Sequence, residues 1–385
     1  MIEATFICCV GLTFYTYVGY PVLMWQLANL RNSILGVRRE LPRYDPRVSL
    51  LVAAYNEQAV IRRKIENCLS LDYDESHLEI LVGSDGSDDD TEAEVHSSLP
   101  TSRGRCIPMP RRGKSWVIND LAETATGEVL VFSDANTMLE RDAISELVRP
   151  FADPTIGCVS GLLHLTPDGD HVGAQGESFY WKYETFKKTQ ESMFRSVAGA
   201  NGAIYGVRKE LFVPLSAKTI NDDLTTSMRV YLQGRRMVLV STARGHETTA
   251  SDLSGEFRRH VRDSAGHFIA LRELAGMLNP RLGMPAFCYI SHRVIRWLVP
   301  FFMIGALLSS AALVSEPAFR VMFVLQVFAY GACLIATPRA LAGKSLGLMR
   351  VPFYFVMVNV AILAGFARFL AGTQSSKWEP TSRTS

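Results

Sequence analysis

No two of the chain's seven cysteines form a C-x-x-C pair. That excludes the usual spacing of a zinc site and leaves no disulfide framework. Cys8, Cys9, Cys288 and Cys333 fall in or near apolar runs, and Cys68, Cys106 and Cys158 in the polar part. Reduced, buried thiols are expected, as suits a cytosolic domain. Charge of neither sign is in excess: 40 Lys and Arg stand against 38 Asp and Glu, a net +2, which gives no reason to expect nucleic acid as a partner. There is no G-x-G-x-x-G, so a dinucleotide site is disfavoured, and no P-loop. No Lys or Arg precedes the first apolar run and no small-residue cleavage site follows it, which argues against a removable signal.

What the chain does have is four long uncharged runs: Ala4–Leu30 (27 residues), Trp297–Val314 (18), Val321–Thr337 (17) and Val351–Ala367 (17). A bilayer is spanned by roughly 17 to 25 such residues, so four membrane helices are expected. Arg31, Arg38, Arg39, Arg43 and Arg47 follow the first run, while only Glu3 precedes it. Arg293 and Arg296 precede the second, and Arg339, Lys344 and Arg350 lie between the third and fourth. Cations mark the cytosolic side. The N-terminus is therefore expected outside and the domain after the first helix in the cytosol. By parity the tail after Gly372 falls outside, although it carries Lys377 and Arg383. The division is a membrane helix at 1–30, a basic linker at 31–47 lying on the anionic leaflet, a cytosolic domain at 48–272, interfacial helices at 273–296, three membrane helices at 297–372 and a tail at 373–385.

In the domain, Val48–Ala54 reads as a buried strand ending in Tyr55-Asn56-Glu57, followed by a helix over about 58–70. A second strand, Leu78–Gly83, is closed by Ser84-Asp85-Gly86-Ser87-Asp88-Asp89-Asp90-Thr91. Strand, helix, strand at this spacing is a βαβ unit of a parallel sheet. A third strand, Val129–Phe132, ends in Ser133-Asp134-Ala135-Asn136. Ligands of open α/β sheets sit beyond the carboxyl ends of strands. Asp134 and Asn136, two apart, project the same way, and paired oxygens suit Mg²⁺ or Mn²⁺, which would hold a phosphate. The three ends offer an aromatic face at Tyr55 and carboxylates at Asp85 and Asp134 for a base, ribose or metal. Asp88, Asp89 and Asp90 read as caps of the next helix. Arg111-Arg112-Gly113-Lys114-Ser115 opens a helix to about Thr124, with Lys114 and Asn119 as candidates for phosphate or ribose.

Further on come a strand over Ile156–Leu165 and an aromatic-rich helix over 175–195, whose rings read as core. Gly199-Ala200-Asn201-Gly202 is a run of small residues that lets backbone approach a ligand. Asp222-Asp223 opens a helix running to about Leu232, either as helix-start carboxylates or with one of them as a general base. Arg259 and Arg262, three apart, share a helix face suited to a diphosphate or, equally, to lipid headgroups.

Together these motifs resemble the membrane-embedded, processive-type family-2 inverting glycosyltransferases, the group that holds cellulose, chitin and hyaluronan synthases and many bacterial exopolysaccharide enzymes. The resemblance covers residues 48–270, the flanking helices and the tail Trp378-Glu379-Pro380-Thr381-Ser382-Arg383. It implies an α/β, GT-A (Rossmann-like, mostly parallel) cytosolic domain flanked by transmembrane helices. It further implies that Tyr55, Glu57 and Asp85 hold uridine, Lys114 lies on the nucleotide, Asp134 and Asn136 bind the metal, and Gly199, Asn201 and Gly202 border donor sugar and acceptor. Asp223, beside Asp222, would be the base, and Arg259, His260 and Arg262 would cover the diphosphate. Asn136 stands where a second Asp is usual, Ala53 where Pro is, and Arg259 and Asp263 where Gln and Trp are. The expected activity is transfer of a sugar from a UDP-linked donor to a growing polysaccharide or glycan at the inner membrane face, with Mg²⁺ or Mn²⁺ and possible export subunits. Single-sugar transfer to a lipid-linked acceptor is the alternative within enzymes. A catalytically silent nucleotide-sugar-binding membrane subunit is the alternative outside them.

Overall fold

A computed structural model describes residues 1–35, 42–166, 172–248 and 253–377. Helix α1, Ile2–Phe14, passes through a π-helical turn at Tyr15–Gly19 into α2, Tyr20–Leu35. Residues 31–35, expected in a linker, continue this helix; residues 36–41 of that linker lie outside the described residues, as do Trp378 to Arg383 of the tail.

The domain then runs β1 Val48–Ala54, α3 Ile61–Leu69, β2 Leu78–Asp85, α4 Thr91–Ser98, β3 Gly104–Met109, α5 Lys114–Thr124, β4 Val129–Asp134, β5 Met138–Leu139, α6 Ala143–Val148, β6 Ile156–Thr166, α7 Val172–Ser192, β7 Tyr205–Arg208, α8 Asp222–Leu232, β8 Arg236–Thr248 and α9 Leu253–Glu273. The eight strands form one sheet in the order β3-β2-β1-β4-β7-β6-β8-β5. The β3-β2-β1-β4 half is parallel, as is β6 with β8, while β7 is antiparallel to both its neighbours. The sheet is thus mixed but mostly parallel, as expected. Strands β3 and β7 were not expected. β3 is an edge strand carrying Pro108, and β7 is four residues long with a glycine inside, so neither has a strand's usual signal.

Alternation explains why the central strands are apolar throughout. Leu50, Val52, Val82, Val129 and Val131 enter one core with α3 and α6, and Leu51, Leu81, Leu130 and Phe132 enter the other with α5 and α8. Each fully buried Leu or Val contributes about 1.5–3 kcal/mol. The same period sorts the polar end of β4: Ser133 faces the α3 layer, and Asp134 faces the α5 and α8 layer.

After α9, short 3₁₀ turns at Ala275–Leu278 and Pro280–Leu282 lead into α10 Met284–Cys288, a π-helical turn at Tyr289–Val294 and α11 Ile295–Ala312; α12 is Pro317–Leu341 and α13 Arg350–Ala371. Among the described residues, four helices are long and apolar enough to cross a membrane: Ile2–Ile34, Met284–Ala312, Pro317–Leu341 and Gly347–Ala371. The second begins within the segment expected to be interfacial. Its first turns are buried rather than laid on a surface, with Cys288, Tyr289, His292 and Trp297 nearly inaccessible. Val321, Val324, Leu325, Phe328, Leu334 and Ile335 of α12 are exposed, the apolar surface a lipid-facing helix presents.

Helix α13 packs along α9 for most of its length. Tyr354 reaches Glu256 and His260, and the Phe366 and Phe369 rings lie 4.8 and 5.8 Å from Phe268. A Cβ on Gly365 would stand 2.6 Å from Ser264 Cβ and 2.7 Å from Val261 O, so only glycine admits this approach. Beyond α13 the chain returns to the domain. A Cβ on Gly113, whose φ is +107°, would lie 3.2 Å from Ser376 O. Parity expected the tail after Gly372 to be outside; Ser376 of that tail lies against the loop that opens α5. Gly365→Val is expected to destabilise the protein by about 1–3 kcal/mol through overpacking, seen as a lower Tm in detergent; an unchanged Tm would refute the close α9–α13 contact.

Candidate active site

The carboxyl ends of β1, β2 and β4 lie level, with Ala54 beside Ser84 and Ala53 beside Asp134. From there a cavity of about 400 Å³ opens, lined by Glu57, Lys114, Asp134, Asn136, Asn201, Gly202, Asp222, Asp223, Arg259, His260 and Arg262 among others. Residues spread across the domain are thus brought to one space. Tyr55, Asp85 and Gly199, also expected at the site, do not line it.

Each of those three has another task. Asp85 is fully buried. Its carboxylate accepts from the Arg111 guanidinium (2.6 Å), Arg112 N (2.7 Å) and Gly113 N (2.9 Å). It does not face a metal; it fixes the loop that presents Lys114. The Arg111 guanidinium also lies 3.2 Å from the centroid of the Tyr55 ring. Gly199 has φ +97°, and a Cβ there would strike Leu224 at 2.6 Å, so its glycine serves packing. Asn119 grips Leu215 at both backbone N (2.8 Å) and O (2.9 Å) and is a tether. Of the three caps expected for α4, Asp89 accepts from Thr91 N at 3.0 Å, Asp88 instead accepts from Asn56, and Asp90 makes no side-chain cap bond.

Helix α5 starts at Lys114 because Gly113 supplies the positive φ that turns the chain. Lys114 Nζ reaches Asp134 Oδ1 (2.9 Å) and Asp222 Oδ1 (3.5 Å). Burial alone would lower its pKa, but Asp134 and Asp222 outweigh burial and hold it above the usual lysine value. Asp222 is pushed up to about 6, chiefly by burial; Lys114 opposes the rise and Asp223 adds to it. The Asp223 carboxylate is partly exposed and has no hydrogen bond or ion pair among the described residues, and Gly202 backs directly onto it: a Cβ there would stand 3.4 Å from Oδ2. At the far wall, Arg262 pairs with Asp263 at 3.1 Å, and His260 Nε2 lies 3.2 Å from Tyr354 Oη, which donates to Glu256 Oε1 at 2.7 Å.

Asp134 and Asn136 fit a hard divalent cation on one condition. No group of three or more His, Cys, Asp or Glu that could hold a metal occurs among the described residues. Two protein oxygens therefore need phosphate oxygens and water to complete the shell, as is usual for Mg²⁺. The Asn136 Nδ2 is buried without a hydrogen-bond partner; as an N–H donor it would be satisfied by a phosphate oxygen beside Asp134, not by the cation itself.

Several residues at the site were not anticipated. Lys64, on α3 beneath β4, is completely buried. Its Nζ donates to Ser133 Oγ (2.7 Å) and Thr137 O (2.5 Å), pinning the Asp134–Asn136 turn from below. Burial lowers its pKa. Tyr180, Trp181, Glu184 and Lys188 of α7, Arg293, Arg296 and Ser376 also line the cavity. The spacing 180, 184, 188 places the α7 residues on one helix face, a signal the aromatic pattern alone obscured. Arg293 and Arg296, expected only as cations flanking the second apolar run, pair with Glu184 at 3.0 and 3.1 Å.

Comparison with known proteins follows the same lines. Residues 46–266 match a family described as glycosyltransferase like family 2. Poly-beta-1,6-N-acetyl-D-glucosamine synthase of Staphylococcus aureus (strain COL) is 24% identical over 245 residues, 61% of this chain and 58% of that protein. Beta-monoglucosyldiacylglycerol synthase of Synechocystis sp. (strain ATCC 27184 / PCC 6803 / Kazusa) is 26% identical over 203 residues, 49% of this chain and 40% of that protein. The matches thus span less than two thirds of these curated relatives. Among solved structures, the mannosyltransferase PcManGT from Pyrobaculum calidifontis, in complex with GDP-Man and Mn²⁺, shares the fold with a TM-score of 0.70 at 22% identity, over 96% of this chain and 99% of that one.

The raised Asp222 carboxyl has a consequence for stability. The folded state holds its proton up to about pH 6 while the unfolded chain releases it near the ordinary aspartate value of 3.8, so this group costs stability as pH rises through that window. Asp222→Asn is expected to raise Tm above about pH 6 and to lose that advantage below about pH 4; equal Tm differences at both ends would show that the carboxyl is not strained.

Proposed function

Because the chain belongs to the family-2 glycosyltransferases, we propose that it transfers a sugar with inversion from a nucleotide donor, UDP-linked, to a glycan or lipid-linked acceptor at the inner face of the plasma membrane. The observation that carries this reading is the convergence of Lys114, Asp134, Asp222, Asp223, Arg259 and Arg262 on one cavity. Asp223 takes the proton of the acceptor hydroxyl, being the carboxylate with no protein partner. The oxygen attacks the anomeric carbon on the face opposite the diphosphate, and the bond from that carbon to the diphosphate oxygen breaks. Lys114, Arg259 and Arg262 receive the negative charge that develops on the leaving group. Asp222, held near Lys114, keeps that ammonium in place. Asp134 and Asn136 would hold Mg²⁺ or Mn²⁺, which when bound adds Lewis-acid neutralisation of the diphosphate. Glu57 borders the nucleoside end, with the Tyr55–Arg111 stack outside the cavity wall.

In this reading the N-terminal helix, the α10–α11 helix and α12 cross the membrane, and α13 lies along α9 on the cytosolic side. The position of Ser376 against Gly113 supports that arrangement, because it sets the segment just after α13 beside the catalytic domain.

Asp223→Asn is expected to reduce transfer by about 10²–10⁴-fold, the range for a lost general base, with UDP affinity retained. Near wild-type product formation by that variant would remove Asp223 from the mechanism. UDP release from a panel of UDP-sugars should require a divalent cation and stop on chelation; no release from any donor would favour the silent binding subunit. A ladder of product sizes would identify polymerisation, a single mass shift one transfer. A tag appended to Ser385 should be cleavable by protease only from the catalytic-domain side; cleavage from the opposite face would overturn the arrangement of α13.

A further inference from the structure

Beyond the carboxylates the cavity continues toward the junction of α7 with the start of Met284–Ala312, where its wall includes Tyr180, Trp181, Glu184, Lys188, Arg293 and Arg296. Charge in this arm does not balance. Glu184 is shared by Lys187 (3.0 Å), Arg293 (3.0 Å) and Arg296 (3.1 Å). Glu191, behind the wall, accepts from Tyr20 (2.6 Å) and is engaged by His292 (2.6 Å). Lys187, Lys188, Arg293 and Arg296 are thus four cations against the two carboxylates of Glu184 and Glu191.

Lys188 is the unmatched member. It is 5% exposed, and its Nζ donates to Ala200 O at 3.1 Å, with no ion-pair partner among the described residues. Asp223, Glu184 and Glu191 act on it only from a distance. A lysine with no function beyond packing pairs its ammonium or carries it out to water. This one keeps it inside, against a cavity, with two of its three N–H groups uncommitted. Burial first, and then the like charge of Arg293, push its pKa down to about 8. An unneutralised buried cation is costly, and an anion in the cavity removes that cost.

We propose that this arm binds the acceptor through a phosphate group, Lys188 donating to its oxygens within the positive field of Arg293 and Arg296, so that a hydroxyl carried on the same molecule reaches Asp223. The proposal rests on the glycosyltransferase reading above and names the acceptor class it left open: a phosphate ester with a free hydroxyl, borne by a lipid or by a soluble molecule. Leu163, Leu165 and Trp181 supply apolar wall beside the charges. The arm also abuts a helix apolar enough to meet lipid.

The test uses the full chain in phosphatidylcholine nanodiscs saturated with UDP and Mg²⁺, so that the diphosphate subsite is filled. Inorganic phosphate and glycerol 3-phosphate are titrated by calorimetry against a chloride control of equal ionic strength. Saturable binding is expected, weakened about tenfold or more by Lys188→Gln, as befits loss of a charge-assisted hydrogen bond, and largely kept by Lys188→Arg. Affinity for UDP, measured separately, should be unchanged in both variants. Absence of phosphate binding by the unmodified protein overturns the proposal, and so does a Lys188→Gln effect that falls equally on UDP, which would move Lys188 to the donor side. If UDP itself fails to bind, the glycosyltransferase reading fails instead. Nanodiscs doped with phosphatidic acid separate the sources. Competition with inorganic phosphate there, absent in plain phosphatidylcholine, assigns the site to a lipid headgroup; no competition assigns it to a soluble phosphate ester.

Discussion

Carboxylates gathered at the end of a sheet repel one another, and the site exists because Lys114 stands among them. Its ammonium touches Asp134 and Asp222 together, while Asp223 stays outside that pairing. The arrangement leaves the three acids in different states: one pinned by the lysine, one strained by burial, one partly exposed to the cavity. The loop that delivers Lys114 depends in turn on Asp85, whose buried carboxylate is consumed by backbone N–H groups of Arg112 and Gly113. Lys64 acts from the opposite face of the sheet, holding the turn of Asp134 through Ser133 and Thr137. Two lysines, one on each side of β4, therefore fix the carboxylate that the whole site faces.

The second constraint is mechanical. The catalytic domain is joined to its apolar helices by buried polar contacts as well as by apolar packing. Glu184 and Glu191 of α7 collect Tyr20 from the N-terminal helix and His292, Arg293 and Arg296 from the second apolar helix. Buried ion pairs of this kind add little net stability, but removing one partner is expensive, so they fix one orientation. The same helix α7 that carries this joint also lines the far arm of the cavity. Placement of the domain against the apolar helices and the shape of the far arm of the cavity are consequently set by one element.

Much of this was legible in the residues. The apolar runs, the strands β1, β2 and β4, and the polar ends at Tyr55, Asp85 and Asp134 all follow from pattern, because a central parallel strand is buried on both faces and must turn polar where it leaves the core. Other parts were not. Asp85 and Asp134 look alike as strand-end acids, yet one is buried under an arginine and the other lines the cavity. Asn119 resembled a ligand contact and is a tether to Leu215. Lys188 is one lysine among several on a helix with little amphipathic pattern, and nothing local marks it as unpaired.

By itself the sequence determined the fold class, the family, the apolar helices and the motifs bearing carboxylates and cations, since these depend on periodicity and on residue type at short range. Tertiary structure alone decided which acid and which cation lack an ion-pair partner among the described residues, and that Ser376 lies against Gly113. Those properties belong to pairs of residues brought within a few ångströms from distant parts of the chain, and burial and charge there are set by the neighbour as much as by the residue.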